Sequence, residues 1–267
     1  MDVLRPTGLD EALDALAAHP DATLLAGGTD LMVQVNLAHL RPDVVIGLRR
    51  VPELTEWTDS FIGSGVTYRR LEHSSLPALA QLARTVGSPQ IRAAGTIGGN
   101  LGTASPAGDA LPFLAAIDAT VVLASTIGTR RLPWHEFLVG PKRNALLPGE
   151  LILGVELPTD LPVRSAFAKI GVRQAMVIAV VSCCVTRTEA GKTAVAMGAV
   201  GPTVLRMDRA EALLSTPEAP DHETVVRAAS LVAEDVMPIT DHRSTAEYRR
   251  HASGVLARRT VTRVLAA

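Results

Sequence analysis

Cysteine is almost missing from this 267-residue chain: Cys183 and Cys184 are the only two, and they are adjacent. An iron–sulfur cluster takes about four cysteine ligands, so the chain cannot hold a conventional one by itself. The pair lies in the apolar run 175-AMVIAVVSCCV-185, where successive strand side chains face opposite ways. They therefore read as small buried hydrophobes and not as a redox couple. Aromatic residues make up 3% of the sequence, too few for the stacking platforms that hold single-stranded nucleic acid. Neither sign of charge dominates, with 26 Lys and Arg against 27 Asp and Glu, which gives no general reason to expect nucleic acid or anionic membrane as partner. The longest apolar run is too short to cross a bilayer. The start, MDVLRPTGLDEALD, lacks the basic segment and apolar core of a signal peptide, so a soluble cytoplasmic protein is expected. His19, His39, His73, His135, His222, His242 and His251 show no zinc-binding spacing.

What is present is an ordinary globular composition, 47% hydrophobic and 20% charged, long enough for two domains. Two glycine-rich segments stand out, 24-LLAGGTDL-31 and 96-TIGGNLGTASPAGD-109. Each joins adjacent glycines to a hydroxyl residue and an Asp or Asn, and neither is a Rossmann or P-loop string. Glycine admits positive φ and close approach of ligand oxygens to the backbone, and successive amides in such turns make anion-binding concavities. Either segment alone is also compatible with a plain tight turn. Together they suggest the two phosphates of a dinucleotide. Gly63 and Gly65 begin a third such string, but Tyr68 stands where the Rossmann pattern needs glycine.

The periodicity predicts a helix over 7–19 capped by Thr7, a strand over 22–26, a helix over 30–40 capped by Thr29 or Asp30, and a strand over 43–48. A strand over 61–68, a helix over 77–87, a helix over 110–118 and strands over 119–125 and 150–158 follow. After a Pro-containing link at 158–164 the pattern changes to strand-like runs over 165–187 and 192–201. Helices are expected near 208–215, 222–236 and 244–266.

The segments AGGTDL, IRAAGTIGGNLGTASPAGDALP, 166-AFAKIGVRQAMVIAVV-181 and 241-DHRSTAEYRRHASGVLARR-259 occur in the order typical of one family. The chain resembles, over nearly its whole length, the FAD-binding medium subunits of the molybdenum hydroxylases, the xanthine dehydrogenase and carbon monoxide dehydrogenase group. The resemblance implies an α+β fold. A two-lobed FAD-binding domain of the vanillyl-alcohol-oxidase (PCMH) type would span 1–160, its lobes about 1–55 and 56–160. A C-terminal α+β domain, a small antiparallel sheet with helices, would span 164–267. It further implies a molybdenum-cofactor large subunit and a [2Fe–2S] small subunit as partners, in a dimer of heterotrimers. The FAD on this chain would pass electrons to a soluble acceptor, NAD+, oxygen or a quinone. The flavin supplies the redox chemistry, and no catalytic side chain is assigned.

The site residues implied are Leu24, Leu25, Ala26, Gly27, Gly28, Thr29, Asp30 and Leu31 around the pyrophosphate, with Thr96, Ile97, Gly98, Gly99 and Asn100 facing it. Ser105 and Arg92 are weaker candidates, the arginine also reading as a loop anchor. Asp109 would accept from sugar or ribityl hydroxyls, or else cap the following helix. Ile152 would touch the flavin region or be plain strand core. Lys169 would lie near the isoalloxazine, where a cation favours negative charge on the reduced ring; its alternative is a solvated strand lysine. Many relatives read RNxGTIGGN where this chain has Ala93 in place of the asparagine. The arginines Arg249, Arg250, Arg258, Arg259 and Arg263 read as a solvated basic helix face or a partner-docking face. A free-standing flavin oxidoreductase and a structural subunit that has lost FAD are the competing functions.

Overall fold

The computed structural model describes residues 1–267. The first lobe contains β1 (Asp2–Leu4), α1 (Leu9–Ala18), β2 (Thr23–Leu25), α2 (Leu31–Asn36) and β3 (Val44–Gly47). Its three strands are parallel in the order β1-β3-β2. Helix α1 buries Ala12, Leu13 and Leu16 in a small core with Ile46, Val51 and Leu54, closed from below by Ala124 and Leu151 of the second lobe. Thr7 does not cap α1. Gly8 holds that position, while the Thr7 amide and hydroxyl donate to Glu11 Oε2 at 2.6 and 2.9 Å. The helix expected over 30–40 is shorter: it ends at Asn36, Ala38 turns to φ +58°, and Asp30 makes no side-chain cap.

The second lobe contains β4 (Phe61–Gly63), α3 (Tyr68–Leu71), α4 (Pro77–Thr85), α5 (Pro89–Ala94), α6 (Ile97–Thr103) and α7 (Ala110–Ala116). It continues through β5 (Thr120–Ser125), β6 (Gly128–Pro133), α8 (Trp134–Phe137), β7 (Leu138–Gly140), β8 (Arg143–Asn144) and β9 (Leu151–Glu156). Its main sheet runs β4-β9-β5-β6, antiparallel throughout. The strand expected over 61–68 stops at Gly63. There the chain folds onto 54–56, the Gly63 amide donating to Glu56 O and the Gly65 amide to Leu54 O, both at 2.7 Å. Thr67 then caps α3 by accepting from the Arg70 amide. The second glycine segment is no loop either. Thr96 is the N-cap of α6, its hydroxyl accepting from the Gly99 amide at 3.0 Å.

The C-terminal region contains β10 (Arg164–Ile170), β11 (Val181–Arg187), β12 (Thr193–Gly198), β13 (Leu205–Arg206), α9 (Asp208–Leu214), α10 (His222–Asp235) and α11 (Ala246–Leu265). The strands form an antiparallel sheet in sequence order, so the single run expected over 165–187 is two strands joined by 171–180. One face of the sheet, with Cys183 and Met197, packs on α9, α10 and α11. The other, with Phe167, Cys184, Ala194 and Ala196, belongs to the core of the second lobe. The two cysteines thus point into different cores, both fully buried, and burial pushes the Cys183 thiol up to about 12. The expected basic face on α11 loses one member. Arg249 is 1% exposed, donating to Val180 O at 2.9 Å, Ala199 O at 2.8 Å and Asp241 Oδ1 at 2.7 Å; Arg250, Arg258, Arg259 and Arg263 remain exposed. No helix is long and apolar enough to cross a membrane.

Candidate functional site

The two glycine segments meet. Strand β2 carries Leu24 and Leu25 half-buried to the edge of the parallel sheet, and the chain turns through Ala26, Gly27, Gly28 (φ +71°), Thr29 and exposed Asp30 into Leu31 of α2. A methyl group at Gly27 would lie 1.9 Å from the Ala94 carbonyl oxygen, and one at Gly95 would lie 3.4 Å from Thr29 Oγ1. Glycine is required at position 27 because the first turn rests directly on the backbone that leads into α6. The amides of residues 26–30 donate to no backbone carbonyl. A row of free N–H groups with a left-handed glycine inside it is an anion-binding arrangement.

The second segment behaves differently. The amides of Ile97, Gly98 and Asn100 donate to Val66 O, Ser64 O and Thr96 O at 3.1, 2.9 and 3.1 Å, and that of Gly99 to the Thr96 hydroxyl. All four are engaged inside the protein. Gly98 has no side chain because a methyl there would lie 2.4 Å from Ser64 Cβ. These amides are thus tied to the protein's own carbonyls and to the Thr96 hydroxyl, while the first turn rests on the Ala94–Gly95 backbone just before them. Asn100 lies against Gly108, where a methyl would be 2.7 Å from its Oδ1, and that oxygen is buried without a partner. Ser105 closes the following turn, its hydroxyl accepting from the Ala107 amide at 3.3 Å and its carbonyl from the Gly108 amide at 2.8 Å.

Asp109 of the second lobe and Lys169 of the C-terminal region form a buried ion pair at 2.6 Å, with side chains 10% and 6% exposed. Asp109 precedes α7 but makes no cap bond, so the capping alternative falls. Lys169, on β10, also donates to Thr85 O at 2.9 Å and Val177 O at 3.3 Å, so it is not a solvated lysine. Burial pushes the Asp109 carboxyl up to about 6, with the Lys169 cation pulling the other way. One carboxylate oxygen is thus taken by Lys169, and the other, Oδ1, is buried without a partner. Tyr68, which sequence reasoning passed over as part of a strand, has its hydroxyl in the same condition. Burial first, and then the Asp109 charge, push its pKa far above the usual tyrosine range. No local pattern in VTYRRL marks this residue; only the packing of α3 beside Gly95 does.

The remaining candidates are structural in their contacts. Ile152 is buried in the core of the second lobe, opposite Leu123 on β5 and 3.8 Å from where a methyl at Gly102 would be. Arg92 pairs with Glu72 and donates to Val86 O and Gly87 O at 3.2 and 3.1 Å, which makes it an anchor for the turn before α5. Burial works against ionising Glu72, but Arg92 and Arg69 outweigh it and hold the carboxyl below its ordinary range. Ala93 is exposed, so the asparagine's absence disturbs no interior contact. Two surface hollows, about 490 and 770 Å³, lie elsewhere, one beside Asp118, Trp134 and Arg206, the other beside Glu53, Phe61 and Glu156.

A diphosphate-bearing cofactor fits these groups. The free amides suit its phosphates, and the unpartnered oxygens of Asn100 and Asp109 and the Tyr68 hydroxyl suit its hydroxyls and amides. Comparison with known proteins agrees. Residues 1–160 match the model of the FAD binding domain in molybdopterin dehydrogenase, and residues 166–264 that of the CO dehydrogenase flavoprotein C-terminal domain. The chain is 32% identical, over 280 aligned positions, to the alpha subunit of the 6-hydroxypseudooxynicotine dehydrogenase complex of Paenarthrobacter nicotinovorans, covering 99% of this chain and 94% of that one. It is 39% identical to the FAD-subunit of nicotinate dehydrogenase of Eubacterium barkeri over 191 residues, 66% of this chain and 64% of the relative. Its structure superposes on a chain of the carbon monoxide dehydrogenase of Hydrogenophaga pseudoflava with a TM-score of 0.90 at 29% identity, covering 100% and 97% of the two. The chain accordingly belongs to the family of FAD-binding subunits of molybdopterin dehydrogenases, and it is the FAD-binding subunit of an oxidoreductase of the molybdenum hydroxylase type.

Proposed function

We propose that this chain is the electron-relay subunit of a three-part hydroxylase. Substrate is hydroxylated on a large partner holding the molybdenum cofactor, and electrons pass through [2Fe–2S] clusters on a small partner. FAD on this chain delivers them to a soluble acceptor: NAD+, oxygen or a quinone. Two copies of each chain would make a dimer of heterotrimers. The observation that carries the reading is the row of free amides at 26–30 lying on the Ala94–Gly95 backbone. The near absence of cysteine agrees with clusters on another chain.

In this reading residues 24–31 wrap the diphosphate, with amides and the Thr29 hydroxyl as donors. Thr96, Ile97, Gly98 and Gly99 hold the bed beneath it, and Asn100 and Asp109 offer the unpartnered oxygens. Lys169 keeps a fixed positive charge near the ring because Asp109, Thr85 O and Val177 O hold its ammonium on three sides. When bound, the flavin supplies the electron chemistry; the chain binds it, orients it and sets the local charge. The cofactor domain is assigned to 1–160, with lobes about 1–55 and 56–160, and the C-terminal domain to 164–267.

The test is purification of the chain with its partners, followed by flavin, iron and molybdenum analysis. The expected result is an oxidised-flavin spectrum and FAD, [2Fe–2S] clusters and molybdenum in one assembly. A colourless chain that FAD does not reconstitute would sink the reading in favour of a structural subunit. Turnover of a small substrate by the chain alone would favour the free-standing oxidoreductase.

A further inference from the structure

One guanidinium stands where separate segments of the C-terminal region come together. Arg249, near the start of α11, is 1% exposed. Its Nη1 donates to Val180 O at 2.9 Å and to Ala199 O at 2.8 Å, and its Nη2 to Asp241 Oδ1 at 2.7 Å. Asp241 is itself fixed: Oδ1 also accepts from the Arg243 amide at 2.9 Å, and Oδ2 from the Arg243 guanidinium at 2.6 Å. Burial works against the Asp241 charge, but Arg243 and Arg249 outweigh it and hold the carboxyl well below its ordinary range.

The two carbonyls lead to the two halves of the buried ion pair. The Val180 amide donates to Ile170 O at 2.8 Å, and Ile170 follows Lys169 on β10. The Ala199 amide donates to Pro106 O at 2.7 Å. Pro106 lies in the turn, closed by the Gly108 amide on Ser105 O at 2.8 Å, that delivers Asp109. Lys169 and Asp109 then meet at 2.6 Å. The contacts form a closed ring, with the ion pair on one side and Arg249 on the other. Ala199 sits at φ +65°, a conformation that a residue with a side chain keeps only where its surroundings fix it. Here its amide and its carbonyl are both held.

We propose that Arg249 is a positioning residue for the flavin site: by holding Val180 O and Ala199 O together it fixes where Lys169 and Asp109 stand against the cofactor. The inference rests on the FAD reading above. A planar guanidinium can span two carbonyls and a carboxylate at once, which a single ammonium cannot do in the same fixed geometry. A site held this way depends on its supporting contacts as well as on the groups that face the ligand.

Arg249→Lys keeps a charge for Asp241 and gives up the fork. Val261→Ala is the control, since Val261 lies farther along the same helix in the core of the C-terminal region. Each is made in the complex with the partner subunits, and FAD affinity, flavin midpoint potential and melting temperature are measured. R249K should bind FAD about tenfold more weakly, the loss expected for one charge-assisted hydrogen bond. Its flavin potential should fall, because the Lys169 cation is no longer held beside the ring. V261A should lower the melting temperature and leave both flavin readouts at the wild-type values. A second arm needs no variant to fold: hydrogen exchange of the wild-type complex, FAD-loaded against FAD-stripped. The ring predicts that FAD slows exchange at the Val180 and Ala199 amides more than along α10. Flavin readouts in R249K that equal wild type, or move only as far as in V261A, would overturn the positioning role and leave Arg249 a brace of its own region. So would exchange at Val180 and Ala199 that FAD does not slow beyond α10, and this arm decides alone if R249K does not assemble. Failure of wild type to bind FAD at all would instead overturn the functional reading.

Discussion

Asp109 shows how much one residue's role depends on its neighbours. Its type and its place after the glycine segment were legible, and so was the presence of a lysine at 169. Their pairing was not, because sixty positions separate them and they sit on elements from different regions of the chain. The pairing moves the carboxylate from an open acceptor to half of a buried ion pair, and it has a pH signature. Burial raises the carboxyl from 3.8 to about 6, so between those values the folded chain keeps a proton that the unfolded chain has released. This group's stabilisation is therefore present below about pH 4 and is lost as pH rises through about 6. Relative to Asp109→Asn, wild type should lose on the order of 2 kcal/mol of unfolding free energy between pH 4 and 6.5. Urea titrations across that range measure it; a constant difference between the two proteins would refute the assignment.

At the scale of the element, signals that are complete within a few residues were read well. The helices expected near 208–215, 222–236 and 244–266 are α9, α10 and α11 to within a residue or two. Asp221 and Thr245 cap the last two locally, accepting from the Thr224 and Tyr248 amides. Elements defined by a distant partner were misjudged. Strand β1 exists because β3 pairs with it, and β6, the polar stretch GTRRLP, because β5 does. The second glycine segment became a capped helix start because Thr96 and Ser64 engage its amides. This separates two glycines that look alike in sequence. Gly27→Ala drives a methyl into backbone and should weaken FAD binding more than a hundredfold by lifting the first turn from its bed. Gly99→Ala meets only the Thr96 hydroxyl, at 3.2 Å, and should stay within a few-fold of wild type. FAD titration of both variants decides; equal losses would show a direct phosphate role for Gly99.

For the whole molecule, the link at 158–164 marks a change of pattern in sequence, and one of the two large cores continues across it. Phe167, Cys184, Ala194, Ala196 and Val204 lie in one core with Leu114, Val121 and Val155. Side chains cross the same seam: the Ala78 amide donates to Ser165 Oγ at 3.1 Å, the Phe167 amide to Gln81 Oε1 at 2.8 Å and Thr186 Oγ1 to Ala116 O at 3.1 Å. A fragment ending at residue 160 would expose one face of that core. It should keep far-UV circular dichroism, lose near-UV signal and bind a hydrophobic dye. A fragment with the near-UV spectrum of a fixed fold would show that the first two lobes stand alone. The arrangement also explains how Lys169 reaches Asp109: β10 packs against α4, and the lysine spans from that strand to Thr85 O of α4 and to the carboxylate before α7.

By itself the sequence determined the order of the longer helices and of the apolar strands, the two glycine segments, the scarcity of cysteine and the resemblance to a family. All of these are local, carried by periodicity, capping residues and short strings. Only the tertiary structure decided which glycine segment has free amides, that Asp109 and Lys169 are one unit, that Arg249 is interior, and that the Tyr68 hydroxyl is buried without a partner beside Gly95. Each of these depends on which polar atoms find partners across long stretches of chain, and burial makes that choice only after the elements have packed.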